Sequence, residues 1–270
     1  MKIVIDARLY GPENTGIGRY VTNLLKNLER IDNRNSYTIL LRKKYFNRLN
    51  FKVGWQKVLV DYRHYSFSEQ LKIPKILKSL NADIVHFPHF NVPLFYSGKF
   101  VVTIHDILMH KQKGFEATTL APALYLIKRF GYQPIFRHAV KSALKVIVPS
   151  SFVKNQVSDY YGLDEDKLIV TYEGFDEKVL PSGTSGRILK KYSLGSSYFI
   201  YAGNAYPHKN LKRLIEAINL LNQKRKENVK LVIVSARNHF TEKLEKLTTK
   251  LNAASCVTLL GFIPDNELGV

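Results

Sequence analysis

The chain has 270 residues, of which 45% are hydrophobic and 12% aromatic, a composition that buries a core and excludes an intrinsically disordered protein. Lys and Arg total 41 against 22 Asp and Glu, and the net charge of +19 favours nucleic acid, an anionic membrane surface or a phosphate-bearing small molecule as the partner. The single cysteine, Cys256, excludes a disulfide framework.

The continuous apolar run MKIVIDA at the N-terminus predicts a buried strand. It is not a secretory signal, because the apolar stretch is too short and no small-residue cleavage site follows. No stretch approaches the roughly 18 apolar residues that a membrane span requires. We therefore predict a cytoplasmic protein that is either soluble or peripheral on the cytoplasmic face of the membrane.

Apolar runs alternate with amphipathic segments along the first part of the chain. Strands are predicted at 2–7, 37–41, 57–62, 83–87, 100–105, 145–149 and 168–172. Helices are predicted at 17–31, 68–80, 121–141 and 151–161, with Pro74 kinking or splitting the second. Continuous apolar runs are typical of strands buried on both faces of a parallel sheet, so the alternation predicts an α/β fold.

The composition changes between about 176 and 197, where Gly, Pro, Ser and Thr replace the apolar periodicity, and this predicts an interdomain linker. Strands then follow at 198–202, 229–235 and 256–260, with helices at 210–224 and 240–251 and Asp265 as the N-cap of another. We predict an N-terminal domain at 1–178, a linker at 179–196 and a C-terminal domain at 197–270. Because its sheet stops at a third strand, the second domain is expected to be truncated.

The first candidate site is the loop that follows the first strand. Gly16 and Gly18 stand where a helix begins, and glycine at a helix N-terminus lets a phosphate approach free N–H groups closely. The spacing is not the dinucleotide fingerprint, because the third glycine would fall at Val21. A tight turn explains the same pattern.

The second candidate is His105 with Asp106, at the end of a predicted strand. Open parallel sheets bind ligands at the carboxyl ends of their strands. A histidine that only hydrogen-bonds its own loop is the alternative. His86, His89 and His110 are close in sequence, but no Glu or Cys completes a recognisable ligand set, so no metal site is predicted.

The third candidate is the loop 203–210, between the first strand and the first helix of the second domain. Lys209 is predicted at the N-terminus of that helix, a position that suits a phosphate group. A solvated lysine is the alternative, but the glycine loop at the same place in the first domain favours the phosphate.

Seven runs occur in an order and at spacings that match one protein family. They are TGIGRY (15–20), DIVHFP (83–88), VTIHD (102–106), VPSSF (148–152), VTYEGFD (170–176), YAGNAYPHKNL (201–211) and LGFIPD (260–265). Together they resemble the retaining glycosyltransferases of family 4, which have the GT-B fold of two Rossmann-like domains. The resemblance covers the whole chain and is greatest to mannosyltransferases of polysaccharide assembly.

The resemblance implies a role for each candidate residue. His105 would hydrogen-bond the donor sugar, and Lys209 would stabilise the leaving diphosphate, both as catalytic residues. Gly16, Gly18 and Asn204, with Lys209, would bind the donor. The acceptor side would be formed by Arg8, Tyr10, Arg19 and Asp106.

The resemblance also implies the substrates. The donor would be a nucleotide sugar, GDP-mannose or a UDP-sugar, and the acceptor a saccharide or a lipid-linked saccharide. The transfer would retain configuration and require no metal and no cofactor. An anionic membrane surface would suit both the positive charge and a lipid-linked acceptor.

Two departures from the family pattern affect these expectations. Many members carry Arg where this chain has Asn204, so Lys209 would bear more of the diphosphate charge. The family's pair of glutamates, seven residues apart, is absent and would lie beyond Val270, so weak or no transfer is expected of the 270-residue chain.

Three other interpretations stay open. A sugar-nucleotide epimerase of the same architecture would need carboxylates for elimination chemistry, and the first domain offers few besides Asp6, Glu13 and Asp106. A basic nucleic-acid-binding module is the second, but the lysines are scattered and no such motif occurs, so no nucleic acid partner is predicted. An inactive fragment is the third.

Overall fold

The computed structural model of the chain describes residues 1–111, 122–174, 185–195, 197–225 and 228–268. These residues form two compact units. Unit 1 contains residues up to 111 together with 123–173, and unit 2 contains the described residues from Gly174 onward. The predicted domain boundary at 178–179 lies outside the described residues.

Unit 1 is built on a seven-stranded sheet in which every strand is parallel to its neighbours, as the continuous apolar runs predicted. The strands are β1 (Lys2–Asp6), β2 (Ser36–Leu41), β3 (Trp55–Leu59), β4 (Ile84–Phe87), β5 (Phe100–Thr103), β6 (Lys145–Val148) and β7 (Leu168–Val170). Their order is β3-β2-β1-β4-β5-β6-β7, so the direction of strand addition reverses between β1 and β4.

Helices cover both faces of this sheet. They are α1 (Thr15–Ile31), α2 (Lys43–Phe46), α3 (Phe67–Ser79), α4 (Leu108–Lys111), α5 (Pro122–Ser142) and α6 (Ser151–Tyr161). Val4 packs in the core with residues of α3, α5 and α6, whereas the next residue, Ile5, packs in a second core against α1. This alternation explains why β1 is apolar at successive positions.

Local signals fix several helix ends. The Ser66 hydroxyl caps α3, and the Ser150 hydroxyl caps α6 by accepting from the Val153 N–H at 3.2 Å. Gly162 then ends α6 in the left-handed conformation, with φ of 57°. The helix α3 runs through Pro74 without a break, so the predicted split does not occur.

The third strand differs from its predicted position. It was expected at 57–62 and is observed at Trp55–Leu59. The difference follows from pairing, because Trp55 lies opposite Tyr37 of β2 and stacks on it with ring centroids 4.3 Å apart. Residue-by-residue apolarity does not reveal that aromatic pair.

Unit 2 contains a three-stranded parallel sheet in the order β10-β9-β8. Its elements are α7 (Ser185–Lys191), β8 (Phe199–Ala202), α8 (Leu211–Arg225), β9 (Leu231–Val234), α9 (His239–Lys250), β10 (Val257–Leu260) and α10 (Asp265–Leu268). Asn238 begins α9 with a capping box, because its side chain accepts the Thr241 N–H while the Thr241 hydroxyl accepts the Asn238 N–H.

The linker predicted for 179–196 needs a correction in its second half. The helix α7 lies inside that range, and Tyr192 and Leu194, which follow it, pack against Val232 and Val234 of β9. The Gly and Ser residues there concealed a short amphipathic segment. The other residues of the predicted linker, 179–184 and 196, lie outside the described part of the chain.

Candidate active site

The carboxyl-terminal edge of the sheet in unit 1 collects the polar residues of the candidate site. Parallel strands end at one edge, and the crevice where the strand order reverses, here between β1 and β4, is the usual position of a ligand. His86 lies in β4, His105 follows β5, and Glu173 follows β7.

The His105 side chain is held on both sides of its ring. Its Nε2 lies 2.9 Å from the carbonyl oxygen of Pro88, and its Nδ1 lies 3.4 Å from Oε1 of Glu173. A carbonyl oxygen only accepts hydrogen bonds, so Nε2 carries the proton. Both ring nitrogens thus face an oxygen acceptor, the Pro88 carbonyl at Nε2 and the Glu173 carboxylate at Nδ1, and the two contacts hold the imidazole in one orientation. The side chain is 18% exposed.

The hydroxyl groups of Thr103 and Tyr20 link His86 to the surroundings of His105. The Thr103 hydroxyl lies 2.9 Å from Nε2 of His86 and 3.2 Å from the hydroxyl of Tyr20. The Tyr20 ring meets the His105 ring edge-on, with centroids 4.8 Å apart. Burial, with a smaller contribution from the charge of His105, lowers the pKa of His86 to about 4. His86 is thus neutral at physiological pH and acts as a hydrogen-bonding support.

Glu173 is a site residue that sequence reasoning missed. The hydrogen bond from His105 lowers the pKa of this half-exposed carboxyl, so it is ionised beside the imidazole. The signal was present in the run VTYEGFD, where an acidic residue follows a buried strand at the same edge as His105. Residues 175 and 176 of that run lie outside the described part of the chain.

Arg8, predicted on the acceptor side, is buried in an ion-pair network. Its Nε and Nη2 donate to the two carboxylate oxygens of Asp6 at 2.7 and 2.5 Å, and Nη2 also lies 2.8 Å from Oε1 of Glu69. The side chains of Arg8 and Glu69 are fully buried. Through Nε and Nη2 the guanidinium thus joins two carboxylates from different elements of unit 1.

Glu69 completes the network from helix α3. It accepts from the Asn91 amide and from the Tyr65 N–H, both at 2.7 Å. The sequence did contain a signal for it, since Glu69 occupies the buried stripe that continues with Ile73 and Leu77. A carboxylate in an apolar stripe indicates a buried partner.

The two glycines of the loop after β1 have different surroundings: Gly18 is packed against the backbone, and Gly16 faces open space. A Cβ on Gly18 would overlap the carbonyl oxygen of Gly11, so Gly18 serves the packing of the loop against α1. Gly16 is exposed, and nothing lies within 4 Å of a Cβ built there. The Asn14 side chain does not cap α1 but donates to the Tyr10 carbonyl at 3.2 Å. The first-turn N–H groups near Gly16 are thus without a side-chain cap.

The other predicted acceptor-side residues lie at the same edge. Tyr10 is half-buried with its ring 4.9 Å from that of Tyr45, and Arg19 is exposed on the first turns of α1. Asp106 is exposed, and its Oδ1 accepts the Leu108 N–H at 2.8 Å, which fixes the start of α4. Asp106 therefore has a local role whatever else it binds.

His110 bonds to protein groups through both ring nitrogens. His110 lies 2.7 Å from the Tyr132 hydroxyl through Nδ1 and 2.6 Å from the Tyr161 hydroxyl through Nε2. Burial above all lowers the pKa of His89 to about 3. Within the described residues, no group of three or more His, Cys, Asp or Glu side chains is arranged to hold a metal ion.

In unit 2, the loop after β8 contains the remaining candidates. Gly203 has φ of 152°, and the Tyr201 hydroxyl donates to the Asn204 carbonyl at 2.8 Å. Lys209 ends a 3-10 turn, Pro207–Lys209, and Asn210 follows in the left-handed conformation before α8 begins. Lys209 thus lies two residues before Leu211, the first residue of the helix, with its side chain exposed.

Two family models match the chain in succession. Residues 14–179 match Glycosyltransferase Family 4, and residues 189–269 match Glycosyl transferases group 1. A curated relative, the O-antigen chain mannosyltransferase RfbU of Salmonella typhimurium, is 23% identical over 99% of this chain and 72% of its own length.

Solved structures confirm the predicted fold. WaaG, a glycosyltransferase involved in lipopolysaccharide biosynthesis, matches with a TM-score of 0.66 at 14% identity, over 99% of this chain and 72% of WaaG. Anabaena Alr3699/HepE in complex with UDP and glucose matches with a TM-score of 0.66 at 16% identity, over 99% and 71%. The UDP-GlcNAc 2-epimerase of Neisseria meningitidis matches with a TM-score of 0.57 at 12% identity, over 100% and 74%, a likeness of fold alone. The chain has the GT-B fold and belongs to glycosyltransferase family 4.

Proposed function

We propose that this glycosyltransferase transfers a hexosyl group, mannose above all, from a nucleotide sugar to a saccharide or lipid-linked acceptor with retention of configuration. The family match and the mannosyltransferase relative support the reaction class. The observation that carries the proposal is the His105 imidazole, fixed by Pro88 and Glu173 at the ligand-binding edge of the sheet.

His105 orients the donor sugar in this proposal. Because Nε2–H is committed to the Pro88 carbonyl, Nδ1 is the ring atom that meets a sugar hydroxyl. A sugar hydroxyl both donates and accepts, so it can bond to Nδ1 and to the Glu173 carboxylate together. The imidazole is a positioning group close to the reacting carbon, and the front-face transfer requires no enzyme nucleophile.

The loop after β8 binds the donor diphosphate in this proposal. As the glycosidic bond breaks, negative charge accumulates on the diphosphate, and fixed cations and N–H groups that stabilise this charge lower the barrier. Lys209 supplies the cation, and the Asn204 amide, in the same loop, supplies a neutral hydrogen bond. In unit 1, the open position at Gly16 suits the approach of a phosphate to the N–H groups of α1. No metal is required.

Donor titrations test the proposal. Lys209→Ala should weaken the binding of GDP-mannose or a UDP-sugar by at least about tenfold, the value of one charge-assisted contact. Lys212→Ala removes another exposed lysine, from α8, and serves as the control, with unchanged affinity expected. Equal affinities for the two variants would remove Lys209 from the diphosphate site.

The same titration with transfer assays tests His105. His105→Ala should lower kcat by about 10²-fold while donor affinity changes little, because orientation of the sugar matters most at the transition state. Unchanged kcat would remove His105 from the reaction. Conversion of the donor sugar to its epimer would support the epimerase instead, which the buried pairing of Asp6 with Arg8 makes less favoured.

We also propose that the protein acts at the cytoplasmic face of an anionic membrane through helix α3. Among the described residues, none of the helices is long and apolar enough to cross a bilayer. Phe67 is 90% exposed and Leu71, one turn later, is 57% exposed. Lys75 and Lys78 continue the exposed face, so apolar and basic groups complement an anionic lipid surface.

Vesicle binding tests this surface. The double variant Phe67→Ser/Leu71→Ser should bind vesicles of anionic phospholipid at least about tenfold more weakly, because two apolar side chains no longer enter the interface. Val53→Ser changes a fully exposed apolar residue elsewhere and should bind as the wild type does. Equal binding by all three proteins, or retention on DNA with no vesicle binding, would contradict the proposal.

A further inference from the structure

A cavity of about 440 Å³ opens in unit 1 between the loop after β1 and the loop after β2, apart from His105 and Glu173. Tyr10, Glu13 and Asn14 line it from the first loop, and residues 42–45 line it from the second. Small-molecule sites occupy about 300–1,000 Å³, so the space suits one or two sugar residues. We call it the basic cavity.

The rim of the basic cavity has an excess of positive charge. Arg42, Lys43 and Lys44 are consecutive, and the rim carboxylates are Glu13 and Asp61. Lys44 Nζ lies 2.9 Å from Glu13 Oε1, and Arg42 Nε lies 3.0 Å from Asp61 Oδ1. Glu13 is therefore paired with Lys44, and Asp61 with Arg42. Lys43 adds a positive charge beyond these two pairs.

These ion pairs can rearrange toward a ligand. The side chains of Arg42 and Asp61 are 40% and 45% exposed, and those of Lys44 and Glu13 are 52% and 41% exposed. Exposed pairs contribute only about 0–1 kcal/mol, so an incoming anion competes with the carboxylates at little cost. Arg8, fully buried at the wall, donates to Asp6 and Glu69 through Nε and Nη2.

Two aromatic side chains form a tyrosine wall of the basic cavity. Tyr10 and Tyr45 meet edge-to-face at 4.9 Å, and the Tyr45 hydroxyl donates to Glu13 Oε2 at 2.6 Å. The chain makes room for this arrangement at Gly11, where φ is 105° and a Cβ would overlap the Tyr45 hydroxyl. A tyrosine wall offers an apolar surface with polar tips, which suits the face and the hydroxyls of a sugar ring.

We propose that the basic cavity binds a saccharide that carries a phosphate monoester, as part of the acceptor. Arg42 and Lys43 bind the phosphate, and Tyr10 and Tyr45 bound the sugar ring. The inference rests on the proposed function in one respect, namely that the bound saccharide belongs to the acceptor.

Calorimetric titration of the full chain tests the inference, with mannose 6-phosphate as the probe. Mannose 6-phosphate should bind at least about tenfold more tightly than mannose and than inorganic phosphate, because only it engages both walls. Arg42→Gln/Lys43→Gln should weaken its binding at least about tenfold, and Lys43→Gln alone should weaken it measurably. Lys78→Gln, which removes an exposed lysine from α3, should leave it unchanged.

The outcomes are separable from those of the proposed function. No binding of mannose 6-phosphate, equal affinity for inorganic phosphate, or equal loss in Lys78→Gln would overturn the inference. Donor affinity, measured through Lys209→Ala, is independent of this cavity. Retained donor binding in Arg42→Gln/Lys43→Gln with lost mannose 6-phosphate binding would support the inference, and donor binding that fails in the wild type would reject the proposed function alone.

Discussion

The buried cluster of Asp6, Arg8 and Glu69 is the electrostatic centre of unit 1. Burial on its own raises the pKa of Asp6, but the charge and hydrogen bonds of Arg8 outweigh it and lower the pKa. For Glu69 burial wins over Arg8, and the pKa is raised. One guanidinium thus holds two carboxylates unequally, with bidentate contact to Asp6 and a single contact to Glu69.

At this scale we predict that Arg8→Leu lowers the free energy of unfolding by about 3–5 kcal/mol, because two buried carboxylates lose their cation. Arg42→Leu is the matched control, since its pair with Asp61 is exposed and should contribute at most about 1 kcal/mol. Urea unfolding followed by the fluorescence of Trp55, which stacks on Tyr37 in the same unit, measures both. The triple variant Asp6→Asn/Arg8→Leu/Glu69→Gln should recover part of the loss. Equal effects of Arg8→Leu and Arg42→Leu would contradict the assignment.

Among the elements, the start of α1 shows how one loop serves both packing and binding. Gly18 and Gly11 allow the loop after β1 to close on the helix and on Tyr45, whereas Gly16 faces open space. Gly16 and Gly18 have the same sequence signal, a glycine near a helix N-terminus. Only the neighbouring atoms separate a packing requirement from room for a ligand.

We predict opposite outcomes for alanine at these two positions. Gly18→Ala should destabilise the protein by about 1–3 kcal/mol, because the new methyl group overlaps backbone. Gly16→Ala should leave stability unchanged or raise it by up to about 1 kcal/mol, since alanine favours helix and meets no atom. If Gly16 borders the donor phosphate, Gly16→Ala also weakens nucleotide-sugar binding in the same titrations. Similar destabilisation by both variants would refute the distinction.

For the whole molecule, the excess of cations pairs most of the perturbed carboxylates. Hydrogen bonds to Lys44, Arg42, His105 and Lys191 help to lower the pKa values of their carboxylate partners, those of Glu13, Asp61, Glu173 and Glu267. Groups with lowered pKa contribute stability above their unfolded-state pKa, and this contribution is lost as the pH falls through the folded-state value. The protein should therefore lose stability in acid. Glu69 has the opposite sign, because its pKa is raised.

The raised pKa of Glu69 makes its contribution to the free energy of unfolding depend on pH. Its contribution is fully present below the unfolded-state pKa of 4.5 and is lost as the pH rises through its higher folded-state pKa. Relative to Glu69→Gln, the wild type should therefore be more stable near pH 4.5 than it is near pH 7. Urea midpoints of the two proteins across this range, read from Trp55, provide the comparison. A constant difference between them would contradict the raised pKa.

The sequence by itself determined the parallel α/β architecture and the edge where the site lies. Apolar runs, helical periodicity and strand order along the chain are local properties, so β1, β4 and β5 and the position of His105 could be predicted. The family resemblance extended this to the reaction class, which the family match confirms.

Only the tertiary structure decided which polar residues are buried and which face solvent. Arg8 follows a strand, and the family resemblance implied a role for it on the acceptor side, yet it is buried between Asp6 and Glu69 of α3. Glu173 meets His105 because β7 and β5 end at the same edge of one sheet, although the two residues are far apart in sequence. Contacts of this kind depend on which elements pack together, and sequence periodicity does not say which buried groups will become partners.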